Sequence, residues 1–527
     1  MSFVHNGTGG ASNCYYVYEI GFVIEADVHY SLHNFLRSQS EASWSHHLTM
    51  ARLVARALRV GRSALMQVGA ASGYQGRYRL SYLAPALMWH QPVVVVAEEK
   101  VQQRLKEIEI PRLQQWLGAN KAIRTGDCFP DDNFQGVLLI SPSNWLSAQL
   151  EQTRSPFPPG IPTIIDGADD LEDWVRLQLT LSINSQNWDE LILDCPWQSE
   201  AIRTARVQIA KSIFQHPLNP YECYLISPSE REILVSLYAN LESYCLPPAW
   251  VKFGQSLKSN NQLLYARVVR SVGLFSLHSA PVQVAESLAP VWSKQPVVLV
   301  GSAIEQEAAA PIFRQSLGLP DLTCLKFSDD RQTNLIQLYI PDRLPLPNTP
   351  EYQSALIDKL HSLLSLRTTS LGLTLILVGD VPLKAQVGTI LAAEFGSRVQ
   401  VEKTCLDDNG ILVSGWEFWK QHQEVLPAPQ LLVVSTLPLP SLENPLVAGR
   451  VDYYRKSHLD WFRLYLLPTA LTELARAIAP LREQQGVVAL LDSRILHRSY
   501  GAQVLAALHP AARINYLDSS FFNPIES

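Results

Sequence analysis

The chain has 527 residues, 47% of them hydrophobic and 17% charged, with 26 Gly and 34 Pro. That length allows about three domains with their own cores, and the composition is neither disordered nor collagen-like. A net charge of −6 and a pI of about 6.1 leave any nucleic-acid site to a local patch rather than a global basic field. The seven cysteines, at 14, 128, 195, 223, 245, 324 and 405, are never closer than 22 residues. No CxxC pair, zinc ribbon or compact iron–sulfur run is present, and the pattern predicts reduced, mostly buried thiols in a cytoplasmic protein. No apolar run approaches the length of a membrane-spanning helix, and the first 30 residues lack the layout of a signal peptide, so no membrane is expected as a partner.

In chain order, residues 46–60 (HHLTMARLVARALRV) predict an amphipathic helix. Leu48, Ala51, Val54 and Leu58 lie near one face, and Arg52, Arg56 and Arg59 lie largely on the other. SALMQVG (63–69) reads as a short buried strand running into a glycine-rich turn, and RLSYLAPAL (79–87) as a helix. PVVVVAE (92–98), GVLLIS (136–141) and PTIIDGAD (162–169) are further strands, with the continuous apolar runs expected of a parallel sheet covered on both faces. Between 170 and 270 that rhythm gives way to amphipathic helical patterns. It returns with PVVLVG (296–301) and then, past a Pro-rich link at 341–352 into a second α/β domain, with LTLILVGD (373–380), QLLVVSTLPLP (430–440) and GVVALLDSRIL (486–496). The expectation is an α/β protein of two parallel-sheet domains with a helical insertion in the first.

The turn GAASGYQGRYRLSYLAPAL (69–87) follows a strand and opens a helix, the setting in which glycine turns cradle phosphate with backbone N–H groups. Gly69, Gly73 and Gly76 are in place. However, no lysine occurs before residue 100, so a phosphate cation would have to be Arg77 or Arg79, and Tyr78 stands where a magnesium-holding Ser or Thr is needed. An apolar strand ending in Asp166 is the arrangement that holds magnesium, although the next position is Gly167 and not an acid. A plain structural turn, and a helix start whose acids (Asp169, Asp170, Glu172 and Asp173) favour its dipole, account for the same residues.

Taken in order, these segments resemble the DinG/XPD group of superfamily-two DNA helicases over roughly residues 40–515, and especially a divergent cyanobacterial branch. SYLAPAL (81–87) is similar to the family's YLLPAL, and IIDGADDLED (164–173) stands at its DEAH box. PVVLVGSAI (296–304) stands at its SAT motif. GLFSLHSAPVQVAESLAPVW (273–292), ILVSGWEFW (411–419) and GVVALLDSRILHRSYG (486–501) continue the series. The resemblance implies two RecA-like domains: residues 41–170 with 271–330, and residues 331–527. It also implies an arch-like helical insertion at 171–270 and an N-terminal extension at 1–40.

The same resemblance exposes losses. The Walker-A lysine and its hydroxyl partner are absent, and the DEAH glutamate is missing beside Asp166. The late QxxGRxxR motif falls on Glu473, Ala477 and Pro480, so neither of its arginines is kept; Arg476 and Arg482 would serve only after a register shift. The interval for the four-cysteine insert holds only Cys128, so no iron–sulfur cluster is expected. His46 and His47 stand where related helicases read adenine with glutamine. Losing a transition-state arginine alone costs on the order of 10³–10⁵ in rate.

Three readings follow. One is a catalytically inactive helicase fold that binds DNA or RNA, preferably single-stranded, through the Arg52/Arg56/Arg59/Arg62 face and the aromatic pairs Trp416/Trp419 and Tyr453/Tyr454. Another is an NTPase in which Arg77 replaces lysine, Asp166 holds Mg²⁺ and Asp169 activates water. The third is a scaffold for a protein partner. ATP or ADP held in a degenerate cleft by backbone N–H groups is compatible with all three.

Overall fold

The computed structural model describes residues 24–39, 44–131, 133–150, 157–241, 244–328, 334–366 and 372–517. Cys14 and the boundaries placed at 40 and 330 lie outside them.

The first sheet is built from β1 (Ala64–Gln67), β2 (Val93–Val96), β3 (Ile123–Thr125), β4 (Val137–Ile140) and β5 (Thr163–Asp166). The insertion follows with β6 (Leu181–Ile183), β7 (Cys223–Leu225), β8 (Gln262–Val269) and β9 (Leu274–Pro281). The chain then returns to the first sheet with β10 (Val297–Gly301) and β11 (Thr323–Lys326). The second sheet takes β12 (Ile336–Tyr339), β13 (Thr374–Leu377), β14 (Val399–Val401), β15 (Ile411–Ser414), β16 (Leu431–Val434), β17 (Val487–Leu490) and β18 (Ala511–Ile514). The seven-stranded orders are β11-β1-β10-β5-β2-β4-β3 and β14-β15-β13-β16-β17-β12-β18. Every pairing in both is parallel.

Every residue of the central strands is buried, because helices cover both faces of each sheet. On one face of the first sheet, Met50, Val54 and Leu58 pack with Ile24, Val28, Leu32 and Phe35. The last four belong to a helix, Ile24–Ser38, so part of the stretch read as an N-terminal extension is core of this domain. The opposite face is closed by Trp145, Leu288 and Trp292.

The insertion contains the expected helices, among them Ser199–Gln215 and Pro228–Leu241. It also holds an antiparallel sheet, order β6-β9-β8-β7, that the sequence pattern did not reveal. Its strands are covered less evenly than those of the parallel sheets: in β8 the buried stretch Leu264–Ala266 gives way to exposed Arg267 and Val269. No helix among the described residues is long and apolar enough to cross a membrane. The described cysteines depart from expectation: Cys195 and Cys223 are buried and Cys324 is half-buried, while Cys128, Cys245 and Cys405 sit exposed in connecting segments.

Candidate functional site

The glycine turn leaves the carboxyl end of β1, the edge at which parallel sheets take ligands. It is drawn tight against its surroundings. A Cβ on Gly73 would stand 2.2 Å from the Ser302 Cβ, beyond β10, so only glycine lets the two turns meet. Gly76 has φ +66°, and a Cβ there would lie 2.3 Å from the Arg79 guanidinium. Gly69, also at positive φ, precedes the short helix Ala70–Tyr74. These glycines are thus required by backbone geometry and close approach alone.

Next comes a single 3₁₀ turn, Arg77–Arg79, leading into the helix Leu80–Met88. The turn sends its side chains in different directions. Tyr78 and Arg79 point inward to Asp166, joined by Tyr82 one helical turn further on. The Tyr78 hydroxyl donates a short hydrogen bond to Asp166 Oδ1. Arg79 Nε donates to Oδ2 at 3.0 Å, and the Tyr82 hydroxyl donates to the same oxygen at 2.8 Å. Asp166 is 4% exposed and both tyrosines are buried. Burial, and then the Asp166 charge, push both phenols well above their ordinary range, so they stay protonated donors. Burial disfavours the Arg79 charge, but the Asp166 carboxylate together with Tyr78, Tyr82 and Glu109 outweighs it and holds the guanidinium above its usual range.

Both oxygens that would face a magnesium ion therefore already accept protein donors, and one of those donors carries the positive charge. As folded, the pocket does not fit a magnesium triphosphate. Arg77, the predicted phosphate cation, is not at this point; it crosses to the second domain and pairs with Glu483 at 2.7 Å. Gln75 donates to the other Glu483 oxygen at 3.1 Å, and the Tyr74 hydroxyl donates to the Gln423 carbonyl at 3.1 Å. Of the three bulky residues in the turn, Tyr78 fills the pocket while Tyr74 and Gln75 tie the domains together.

Asp169, the predicted water activator, is spent on the turn after β10. Its carboxylate accepts from Ser302 N at 2.8 Å and Ala303 N at 2.5 Å. Arg476, which falls at the glycine of the family's late motif, instead reaches Asp170 with two hydrogen bonds, at 2.8 and 2.9 Å. Arg482 is turned away from the seam. It is buried, donating to the backbone carbonyls of Asn334, Leu508, His509 and Pro510.

A cavity of about 1140 Å³ remains beside the glycine turn, between the carboxyl ends of β1, β10 and β11 and the helix Leu467–Arg482; His46, Gly69, Lys326, Arg463 and Leu471 are among its lining residues. His46 keeps its ring there, bonded to the Ser328 carbonyl at 3.0 Å. His47 does not read a ligand: it is buried against Ser81 Oγ at 2.8 Å, and desolvation pulls its pKa down to about 4. No group of three or more His, Cys, Asp or Glu among the described residues could hold a metal.

The nucleic-acid candidates separate in the same way. Arg52, Arg56, Arg59 and Arg62 are all exposed on the helix His47–Val60 or just beyond it, with Arg59 paired to Glu25 at 2.7 Å. Trp419 and Tyr454 are buried, and Trp419 donates to the Ala477 carbonyl at 3.1 Å, so these two belong to the core. Tyr82 was not among the expected site residues, although its position one helical turn after Tyr78 was a signal that could have found it.

No known family model matches the chain. It is similar to the ATP-dependent DNA helicase YoaA of Escherichia coli K12, at 32% identity over 108 residues, covering 20% of this chain and 17% of the relative. YoaA of Haemophilus influenzae is 24% identical over 257 residues, covering 46% of this chain and 40% of the relative. The matches thus span well under half of these relatives. Among solved structures, an XPD helicase superposes at a TM-score of 0.58 and 12% identity, covering 91% of this chain and all of that one. Xpd4 of S. tokodaii superposes at 0.57 and 13% identity, covering 89% of this chain and all of that one. Similar in sequence to YoaA and in fold to XPD, the chain is DinG/XPD-like in its architecture of two parallel-sheet domains and an insertion.

Proposed function

We propose that this chain is a pseudo-helicase: a helicase-fold protein that engages single-stranded nucleic acid without hydrolysing ATP. The observation that carries the inactive half of this reading is the Asp166 carboxylate, enclosed by Tyr78, Arg79 and Tyr82 where a magnesium triphosphate would need it bare. Asp169 is likewise committed to backbone N–H groups and unavailable to orient water. The nucleic-acid half is supported by the exposed arginines of the helix His47–Val60 and by the likeness to proteins named as DNA helicases.

The test has two arms. A ligand that binds the native state must raise its stability, by about 2.7 kcal/mol at a hundredfold excess over Kd. Millimolar ATP with Mg²⁺ is therefore expected to leave the melting temperature unchanged, with no phosphate release above background. A dose-dependent rise accompanied by turnover that Asp166→Asn abolishes refutes the inactive half. In the second arm, a fluorescent oligo-dT or oligo-U strand is titrated at low salt. The reading expects binding that weakens linearly in log salt and falls when Arg52, Arg56 and Arg62 are changed to Glu. No binding of either strand removes nucleic acid and leaves a protein scaffold.

A further inference from the structure

A second polar arrangement lies where the domains meet, apart from the pocket around Asp166. Arg476, on the second-domain helix Leu467–Arg482, grips Asp170 of the first domain with both guanidinium ends and stands 3.7 Å from Asp169. Lys420, also from the second domain, lies 3.7 Å from Asp170. These two cations serve more carboxylates than they can neutralise. Glu98 and Asp170 from the first domain and Glu417, Glu424 and Glu473 from the second act on this same cluster. Burial pushes Glu98 and Glu473 up; it opposes the Asp170 charge too, but Arg476 and Lys420 together hold that carboxyl below its usual range. With side chains 15% and 28% exposed, the Arg476–Asp170 pair is partly shielded from water and is screened less than a surface pair.

We propose that this seam is an electrostatic latch: Arg476 holds the domains closed without any ligand by neutralising carboxylates contributed from both sides. Without its charge, the balance across the seam turns from attraction to like-charge repulsion, and the domains part while each keeps its fold. The inference stands apart from the nucleic-acid reading, because its readout needs neither nucleotide nor nucleic acid.

Hydrogen–deuterium exchange tests it on the full chain. The seam-facing segments Ala70–Tyr74 and Leu467–Arg482 are compared with the sheet interiors Val93–Val96 and Leu431–Val434. Arg476→Gln is expected to speed exchange in the seam segments roughly tenfold or more and to leave the sheet interiors unchanged. Arg476→Lys, which keeps charge but not the fork, falls between. Adding Asp170→Asn to Arg476→Gln recovers part of the protection by removing a carboxylate left unpaired. Wild-type protein at 1 M salt against 0.05 M supplies an arm free of substitutions, in which the seam alone exchanges faster at high salt. Seam exchange unmoved by Arg476→Gln overturns the latch, as does a uniform rise that includes the sheet interiors. Should that variant fail to fold, seam exchange in Arg476→Lys indistinguishable from wild type overturns it.

Discussion

Asp166→Asn distinguishes a metal-awaiting carboxylate from a structural one by the sign of its effect. In an active site, an acid poised for a cation is uncompensated before the cation binds, so neutralising it leaves the protein as stable or more stable. Here Asp166 is 4% exposed, and both of its oxygens are occupied by Tyr78, Arg79 and Tyr82. The side chains of Arg79 and Asp166 are 11% and 2% exposed, so little solvent would relieve either charge alone. Removing one member of such a buried pair costs about 3–5 kcal/mol. Two tyrosine donors survive in Arg79→Met, which places that variant near the lower end, about 3 kcal/mol. Asp166→Asn strands the guanidinium and should cost at least as much. The double variant removes both charges and should recover more than half of the summed losses, since the effects of touching residues do not add. The assay is urea unfolding followed by near-UV circular dichroism, with each transition fitted separately because a chain of this size need not unfold in one step. An Asp166→Asn protein as stable as wild type, or single losses that simply add in the double variant, would refute the closed-pocket argument.

Two further expectations concern neighbouring residues. Gly73→Ala sets a Cβ 2.2 Å from the Ser302 Cβ, a clash that should cost about 1–3 kcal/mol and ease when Ser302 is also changed to Gly, as read by thermal unfolding. His47 is held neutral by burial, with its pKa brought down to about 4 from 6.5. Its neutral form therefore contributes stability that is complete above the unfolded value and is lost as pH falls from about 6.5 towards 4. A His47→Asn protein should lose less stability than wild type over that window, by up to about 3 kcal/mol; identical pH profiles for the two proteins would contradict the burial argument.

The fold was readable where physics makes strands conspicuous. Val93–Val96, Val137–Ile140 and Val487–Leu490 are buried on both faces, so they appear as unbroken apolar runs. Partly exposed strands such as Ile123–Thr125 and Ala511–Ile514 carry no such signature, nor does the insertion's antiparallel sheet. At the site, the missing lysine was plain in the sequence, as was Tyr78 in the place of a magnesium-holding Ser or Thr. Which arginine would turn inward was not legible, because Arg77 and Arg79 lie on one 3₁₀ turn and their directions are set by Glu483 and Asp166, both distant in sequence. The role of Arg476 was equally hidden, since its partner Asp170 lies 306 residues away.

Arg482 has a consequence for anyone shortening this protein. Its Nη1 and Nη2 atoms donate to backbone carbonyl oxygens, among them those of the segment Leu508–Pro510, immediately before the edge strand β18. A truncation ending before Leu508 would remove more than an edge strand, because it would leave a permanent positive charge in the interior with those acceptors gone. Arginine cannot escape by releasing its proton, as a lysine could. A deletion series from the carboxyl terminus should therefore show a sharp loss of soluble expression between cuts made after Ile514 and cuts made before Leu508, with Arg482→Leu rescuing the shorter chains.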